Sequence, residues 1–476
     1  MPHIPGRVVT VAPMPPEKSA YALARYSRSP DSIVDSVEWV RTHDSAKFLD
    51  SFYFQYGHAS IADLGHLVVC FEGVSELAAT EVEDEQLWDG QAKSSRYQDF
   101  GSSGFIVPPE LDAAGEAAYL KAGQALLDAY KNIHEQSLEH LKGKLPRPEA
   151  MKPDAYLRNI TARAFDVARY VLFWGIPTNV GQVTSIRTLE RQVRRMKASE
   201  FGEVRELGQS LADACAAEPG CLWDKNGSRE ALAPTLAKYV DPDSHLIESQ
   251  QALAQWASQN LPAGLGIEYG DVDLLKPADT PADIVATLLY PVTGRPFREL
   301  YEWARGVSAA VREEVIGVAL ESRTREELLR GFRGGLYCYD IVMDVGAYRD
   351  FHRHRRCQQY RQAYTGHLGY DTPAAITDAG LTGAYDATMK AVWAAMSSLP
   401  QPAAQYLLPF GARSRFLFKM DFAEAEYISK LRSGVKGHFS YRNIAWRMKE
   451  EMEKVEPELG KLIKATPPWV EDPLVR

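Results

Sequence analysis

Two short clusters carry the residue types that could do chemistry: Arg353-His354-Arg355-Arg356 and Ser94-Ser95-Arg96-Tyr97. Neighbouring guanidinium groups present rigid forks of N–H donors, which grip phosphate or carboxylate through two bonds at a time. A serine-arginine-tyrosine run offers hydroxyls, a cation and an amphipathic ring to the same kind of anion. A third basic stretch, Arg187 to Lys197, includes Arg187, Arg191, Arg194 and Arg195. The net charge is −9, so these clusters are local features of an acidic chain. That argues against a general nucleic-acid binder, whose surface needs excess Lys and Arg, and for discrete pockets that take small anions such as nucleotides.

Five cysteines (Cys70, Cys215, Cys221, Cys338 and Cys357) stand at irregular spacings with no C-x-x-C pair, so neither a zinc site nor a disulfide framework is expected. No metal ligands are assigned. Cys357 adjoins the basic cluster, but with no base or second cysteine in view it reads as a bystander. The longest apolar runs, Leu67 to Phe71 and Ala168 to Trp174, are too short to span a bilayer. Met1 to Arg7 lacks a charged start followed by an apolar core. A reduced, cytoplasmic protein without a membrane partner is the expectation.

The elements that must position these clusters follow one order. A chain of 476 residues predicts two domains. In the first half, helices are expected from Ser32 and from Ser45 to Tyr56, then a strand over His66 to Phe71 that Gly73 breaks. Ser75 caps the next helix, and long amphipathic helices follow Pro108-Pro109, over Leu111 to Leu141, Ala155 to Trp174 and Ser185 to Leu211. The second half predicts helices at 281–289, 296–304 and 308–320, a strand over Leu336 to Met343, a Gly346 break, the basic cluster, and helices after Pro373. Helices, strand, glycine, motif, proline and helices thus occur twice, the mark of an internal duplication. The expected fold is α+β: two tandem helix-rich domains, each with a small mixed sheet. A first copy at 1–240 and a second at 281–476 are joined by the Gly-, Pro- and Asp-rich segment 241–280.

Read against known patterns, the chain resembles the flavin-dependent thymidylate synthases. That family shows R-H-R-x-x-S-x-x-x-x-S-x-R-Y after a strand ending in E-G, with G-H-x-S upstream. The first half reads Gly57-His58-Ala59-Ser60, Phe71-Glu72-Gly73-Val74-Ser75 and then Ser94-Ser95-Arg96-Tyr97, in register with the family from Glu72 to Tyr97. Its R-H-R slots hold Asp84-Glu85-Gln86. The second half keeps Arg353-His354-Arg355 but has Ala363-Tyr364-Thr365-Gly366 where S-x-R-Y belongs. The family's A-R-x-x-L-P and N-x-R elements correspond to Ala168-Arg169-Tyr170-Val171-Leu172 and Ser185-Ile186-Arg187 in the first half. In the second half they correspond to Ala404-Gln405-Tyr406-Leu407-Leu408-Pro409 and Asp421-Phe422-Ala423.

The resemblance implies FAD held by Arg353, His354, Arg355 and His58, and a pyrimidine nucleotide held by Ser94, Ser95, Arg96, Tyr97 and Arg187. Methylenetetrahydrofolate would be the carbon donor and NADPH the reductant, with dUMP or a related pyrimidine methylated at C5. No catalytic residue is singled out. The family's sites lie between subunits of a tetramer, so a duplicated chain is expected to be a homodimer with motif pieces shared between copies. The alternative is a degenerate member that binds a nucleotide or serves in assembly without catalysis.

Overall fold

A computed structural model describes residues 14–27, 32–45, 59–94, 99–221, 225–227, 229–235, 240–242, 271–275, 278–293, 297–320, 323, 328–472 and 474. Two compact units emerge. One holds Met1–Lys93, Pro108–Glu110 and Pro177–Ala263; the other holds Ser94–Val107, Leu111–Ile176 and Gly264–Arg476. The expected helix at Ser45 to Tyr56 and most of the expected connecting segment 241–280 lie outside the described residues.

In the first unit, strands β1 (His66–Ser75), β2 (Trp88–Ala92) and β3 (Pro177–Ser185) form a sheet of order β1-β3-β2, antiparallel throughout. Gly73 does not end β1, as the sequence suggested. It sits at φ +64° in an irregularity between Glu72 and Val74, a left-handed conformation that glycine adopts at no steric cost, and the strand runs on to Ser75. Ser75 then caps the helix Glu76–Glu83 by accepting from the Ala78 amide at 2.9 Å, and its own hydroxyl donates to Glu203 at 2.6 Å. The expected single helix from Ser185 to Leu211 is two, Ile186–Lys197 and Gly202–Ala216. Phe201, 1% exposed, turns into the core at the break. Gly208 lets the pair close up, since a Cβ there would meet the Met196 Cβ at 3.0 Å.

The second unit has a four-stranded sheet of order β4-β5-β7-β6, built from β4 (Val272–Leu275), β5 (Tyr337–Asp344), β6 (Gln358–Arg361) and β7 (Arg413–Met420), again antiparallel throughout. The α+β expectation holds, with antiparallel rather than mixed sheets. Every second residue of β7 (Ser414, Phe416, Phe418, Met420) is buried, the two-residue period of a half-buried strand. Without β4, the order β5-β7-β6 repeats β1-β3-β2. In both units the strand that leads into a capped helix and the short strand after it pair with a later central strand.

The helices Ala113–Lys144 and Pro153–Ala168 and the 3₁₀ turn Arg169–Val171 come from the first half of the chain but belong to the second unit. There, 170–175 pairs with 406–411 reciprocally. The Trp174 amide donates to the Leu408 carbonyl at 3.2 Å and the Phe410 amide to the Leu172 carbonyl at 2.7 Å. The Gly175 amide donates to Tyr406 at 2.8 Å and the Gly411 amide to Tyr170 at 2.9 Å, around a bridge between Phe173 and Pro409. These motif segments are almost wholly buried.

Asp344 ends β5 and caps the helix Val345–Phe351, accepting from the Ala347 amide at 2.8 Å. Ser440 donates to its other oxygen, and the Tyr170 hydroxyl lies 3.5 Å away. Burial pushes the Asp344 carboxyl up from 3.8 to about 6, against the Ser440 hydrogen bond and the charge of Arg169. A carboxyl raised on folding stabilises the protein fully below its unfolded pKa, and that contribution is lost as pH rises through about 6. Asp344→Asn can still cap but cannot ionise. Between pH 4 and pH 7 the wild type should therefore lose on the order of 2–3 kcal/mol relative to the variant. Denaturant unfolding at both pH values measures this, and a constant difference would mean that the carboxyl is not desolvated.

Candidate functional site

The helix Val345–Phe351 delivers Arg349 and Asp350, and the turn after it presents Arg353, His354, Arg355 and Arg356. That turn is pinned from behind. The His354 carbonyl accepts from Gln359 Nε2 at 2.7 Å and from the Cys357 thiol at 3.0 Å, while the His352 ring lies between Tyr348 Oη (3.0 Å) and Gln359 Oε1 (3.1 Å). Burial pushes the Cys357 thiol up to about 12, so it is no nucleophile, in keeping with its reading as a bystander.

The helix Phe422–Arg432 packs beside this turn and supplies Glu424, Tyr427 and Arg432. His354 is 5% exposed. Arg432 Nε donates to its Nε2 at 2.8 Å, and Glu424 Oε1 stands 3.5 Å from its Nδ1. Burial lowers the imidazole pKa and Arg432 lowers it further, while Glu424 pulls the other way; the net direction is down. A ring that accepts a hydrogen bond from an arginine at Nε2 is neutral and carries its own proton on Nδ1.

Asp350 lies at the centre of a guanidinium cluster. Arg169 Nη1 is 3.7 Å from one carboxylate oxygen and Arg432 Nη1 3.9 Å from the other. Burial raises this carboxyl, but the charges of Arg169, Arg432, Arg353 and Arg349 outweigh burial and hold it below the ordinary range. Arg349 also stacks over Phe410 at 4.7 Å. Arg169 is 1% exposed, and its Nε and Nη2 have no hydrogen-bond partner among the described residues. A buried guanidinium with unmatched donors, beside a carboxylate ringed by further arginines, has hydrogen-bonding capacity that a second anion could take up.

Beside the turn lies a cleft of about 340 Å³ walled by Arg323, Arg333, Arg356, Tyr427, Lys430 and Leu431. Glu424 also lines it, so the buried histidine has a carboxylate partner on the cleft wall. The charged wall of the cleft sets Arg323, Arg333, Arg356 and Lys430 against Glu424 and Glu426, with Arg323 paired to Glu426 at 3.1 Å and Arg333 to Asp421 at 3.3 Å, beside an aromatic and an apolar side.

Other residues singled out from the sequence lie elsewhere. Arg187 is at the surface, paired with Asp63 at 2.9 Å. The basic stretch that follows it is neutralised within the first unit: Arg191 and Arg195 both meet Glu85, at 2.8 and 3.2 Å, and Arg195 also lies 4.0 Å from Glu81 and Asp84. His58, Ser95, Arg96 and Tyr97 lie outside the described residues, and Ser94 is half-buried at the edge of that stretch. Arg169, Asp350, Glu424 and Arg432 were not foreseen as site residues. Arg169 alone carried a signal, inside the quoted Ala168–Leu172 motif.

The model of a family described as thymidylate synthase complementing protein matches residues 9–218 and 332–458. A UPF0159 protein of Chlamydia muridarum is 25% identical over 434 residues, covering 88% of this chain and 81% of its own. A UPF0159 protein of Thermoplasma acidophilum is 24% identical, covering 93% and 94%. Among solved structures, a UMP/dUMP methylase, PolB, from Streptomyces cacaoi bound with 5-Br dUMP aligns at a TM-score of 0.34 and 13% identity, over 41% of this chain and 96% of that one. A flavin-dependent thymidylate synthase of Helicobacter pylori complexed with FAD and dUMP aligns at 0.27 and 16%, over 42% and 89%.

Removing Asp350 should be costly because Arg169 would keep a buried charge without its counter-ion. Asp350→Ala is expected to destabilise the protein by about 3–5 kcal/mol, and adding Arg169→Met should recover a substantial part. Urea unfolding of the single and double variants tests this; equal stability of the two would remove the cluster from the buried interior.

Proposed function

Because the chain belongs to the thymidylate synthase complementing protein family, we propose that it is an FAD-dependent, thymidylate-synthase-like enzyme that methylates a pyrimidine nucleotide at C5. The observation that carries this reading is the arginine cluster around Asp350, with Arg169 buried and only partly satisfied beside the Arg353–Arg356 turn. A phosphate monoester supplies the missing acceptors: its dianion can take the free Nε and Nη2 hydrogens of Arg169 together with Arg432. In this reading dUMP or a close relative places its 5′-phosphate there, and Ser94, Ser95, Arg96 and Tyr97 contribute from the preceding segment.

In this reading the cleft beside Arg356 takes the flavin, with Arg356 and Lys430 for a pyrophosphate and Tyr427 for a ring; Arg323 and Arg333 on the same wall are already paired with Glu426 and Asp421. Arg353, His354 and Arg355 precede the cleft residue Arg356 in the same turn and, with His58, are the residues assigned to the cofactor in this reading. When bound, the flavin supplies the hydride transfer, with NADPH as reductant and methylenetetrahydrofolate as carbon donor. The chain's own part is to bind, to orient and to hold charge: Arg353 and Arg355 for the cofactor, Arg169 and Arg432 for the nucleotide, and Asp350 to keep those guanidiniums in place.

Two fused copies, at 1–240 and 281–476, account for the repeated strand order and for the reciprocal pairing of 170–175 with 406–411, which has the form of an isologous subunit contact. Two chains then restore the four-unit family assembly; a molar mass near 53.1 kDa, that of one chain, would contradict this. One observation favours a second reading, nucleotide binding without turnover: both ring nitrogens of His354 face partners from its own chain, leaving neither for a ligand.

The protein should be yellow when purified, and Arg353→Ala with Arg355→Ala should weaken flavin binding by at least about tenfold for each arginine lost. Flavin absorbance after desalting reads this out. A colourless protein that binds dUMP would sink the enzymatic reading and leave the second one.

A further inference from the structure

Within the second unit, five side chains form a line of alternating donors and acceptors: Glu424, His354, Arg432, Asp350 and Arg169. Glu424 and His354 are 3% and 5% exposed, so water does not compete for their contacts. Glu424 lines the cleft, and the line ends at Arg169, whose buried unmatched Nε and Nη2 mark the proposed anion pocket. The middle of the line has one requirement. Arg432 Nε–H can be accepted only by a lone pair on His354 Nε2, so the ring proton must sit on Nδ1, and among the described residues the carboxylate at Nδ1 is that of Glu424.

We propose that Glu424 is a positioning residue: by accepting the Nδ1 proton of His354 it fixes the tautomer whose Nε2 holds Arg432, and so keeps the Arg432 guanidinium turned toward Asp350 and the anion pocket. Glu424 touches no reacting atom in this scheme. Its effect reaches the pocket through one imidazole, as outer partners of metal-bound histidines fix ring orientation. Without an acceptor at Nδ1, the proton moves to Nε2, the Arg432 contact becomes donor against donor, and the guanidinium turns away. The groups that face the ring are Glu424, Tyr427 and Arg432 from the helix Phe422–Arg432, Asp350 and Phe351 from the helix Val345–Phe351, and Cys357 at its own carbonyl.

The nucleotide half of this inference rests on the proposed function; the tautomer half does not. The test uses the full chain with labelled histidine and three proteins: wild type, Glu424→Gln and Glu424→Met. Glutamine keeps an oxygen acceptor at the same place, and methionine keeps the volume without one. Imidazole ¹⁵N shifts at neutral pH should report the Nδ1-protonated tautomer for His354 in the wild type and the glutamine protein, and its loss in the methionine protein. Calorimetric titration with dUMP should give affinities within about threefold for wild type and Glu424→Gln, and at least about tenfold weaker binding for Glu424→Met. An Nε2-protonated ring in the wild type overturns the proposal even if the methionine protein does not fold. So does an unchanged tautomer in Glu424→Met, or a loss in Glu424→Gln as large as in Glu424→Met. Failure of the wild type to bind dUMP while the tautomers follow the expected pattern refutes the nucleotide reading and leaves the positioning role of Glu424 standing.

Discussion

The reciprocal backbone pairing of 170–175 with 406–411 is the contact on which the site depends. Both segments are buried, so their amides and carbonyls must be satisfied inside the protein, and each supplies what the other lacks. The pairing fixes the 3₁₀ turn Arg169–Val171 within the second unit and so sets Arg169 against Asp350. Tyr170 is held in the same way, its ring 5.7 Å from those of both His438 and Phe439 and its hydroxyl close to Asp344. A residue from the first half thereby completes a cluster whose other members come from the second.

Equivalent positions in the two halves have diverged in charge, and each change fits its neighbours. Where the first half has Arg169, the second has Gln405, whose Oε1 accepts from the Tyr364 amide at 3.2 Å. Glutamine is neutral, so its burial needs hydrogen bonds but no counter-ion. Where the second half has His354 facing Tyr427 and Arg432, the first has Glu85 facing Arg191 and Arg195. The first arrangement closes on itself as ion pairs. The second leaves guanidinium donors over. Of these two equivalent positions, among the described residues, the one beside the Asp350 cluster leaves an anion more to gain, even though the strand order occurs twice.

How much of this was legible in the sequence depended on whether a signal was local. Arg353-His354-Arg355 could be seen because its residues are adjacent, whereas the helix Val345–Phe351 was missed: Gly346 was read as a break but lies inside this helix, which Asp344 caps. β1 and β5 announced themselves by β-branched and aromatic runs. The central strands β3 and β7 were passed over: β3 reads Pro177-Thr178-Asn179-Val180-Gly181, poor in strand formers, although β7 alternates its buried residues cleanly. The break at Phe201 was missed because helix-forming residues continue through it. Asp350, Arg432 and Glu424 were not singled out. Their role comes from partners 78 and 70 positions earlier at His354, and no periodicity encodes that.

The overall acidity of the chain does not work against a cationic site of this kind. Exposed charges more than about 8 Å apart are largely screened at physiological ionic strength, whereas partly buried pairs a few ångströms apart are not. The −9 net charge is therefore felt weakly at the cluster, and the neighbours of Asp350 decide its potential. Asp350 is essential to that balance. Without a carboxylate, Arg169, Arg432, Arg353 and Arg349 would repel one another in a poorly solvated space; with one, their net charge remains positive and their directions are fixed. A single acid among several arginines thus does two things that bulk composition cannot. It makes burial of the cations tolerable, and it leaves the surplus positive charge and the Nε and Nη2 of Arg169, unmatched among the described residues, for a second anion.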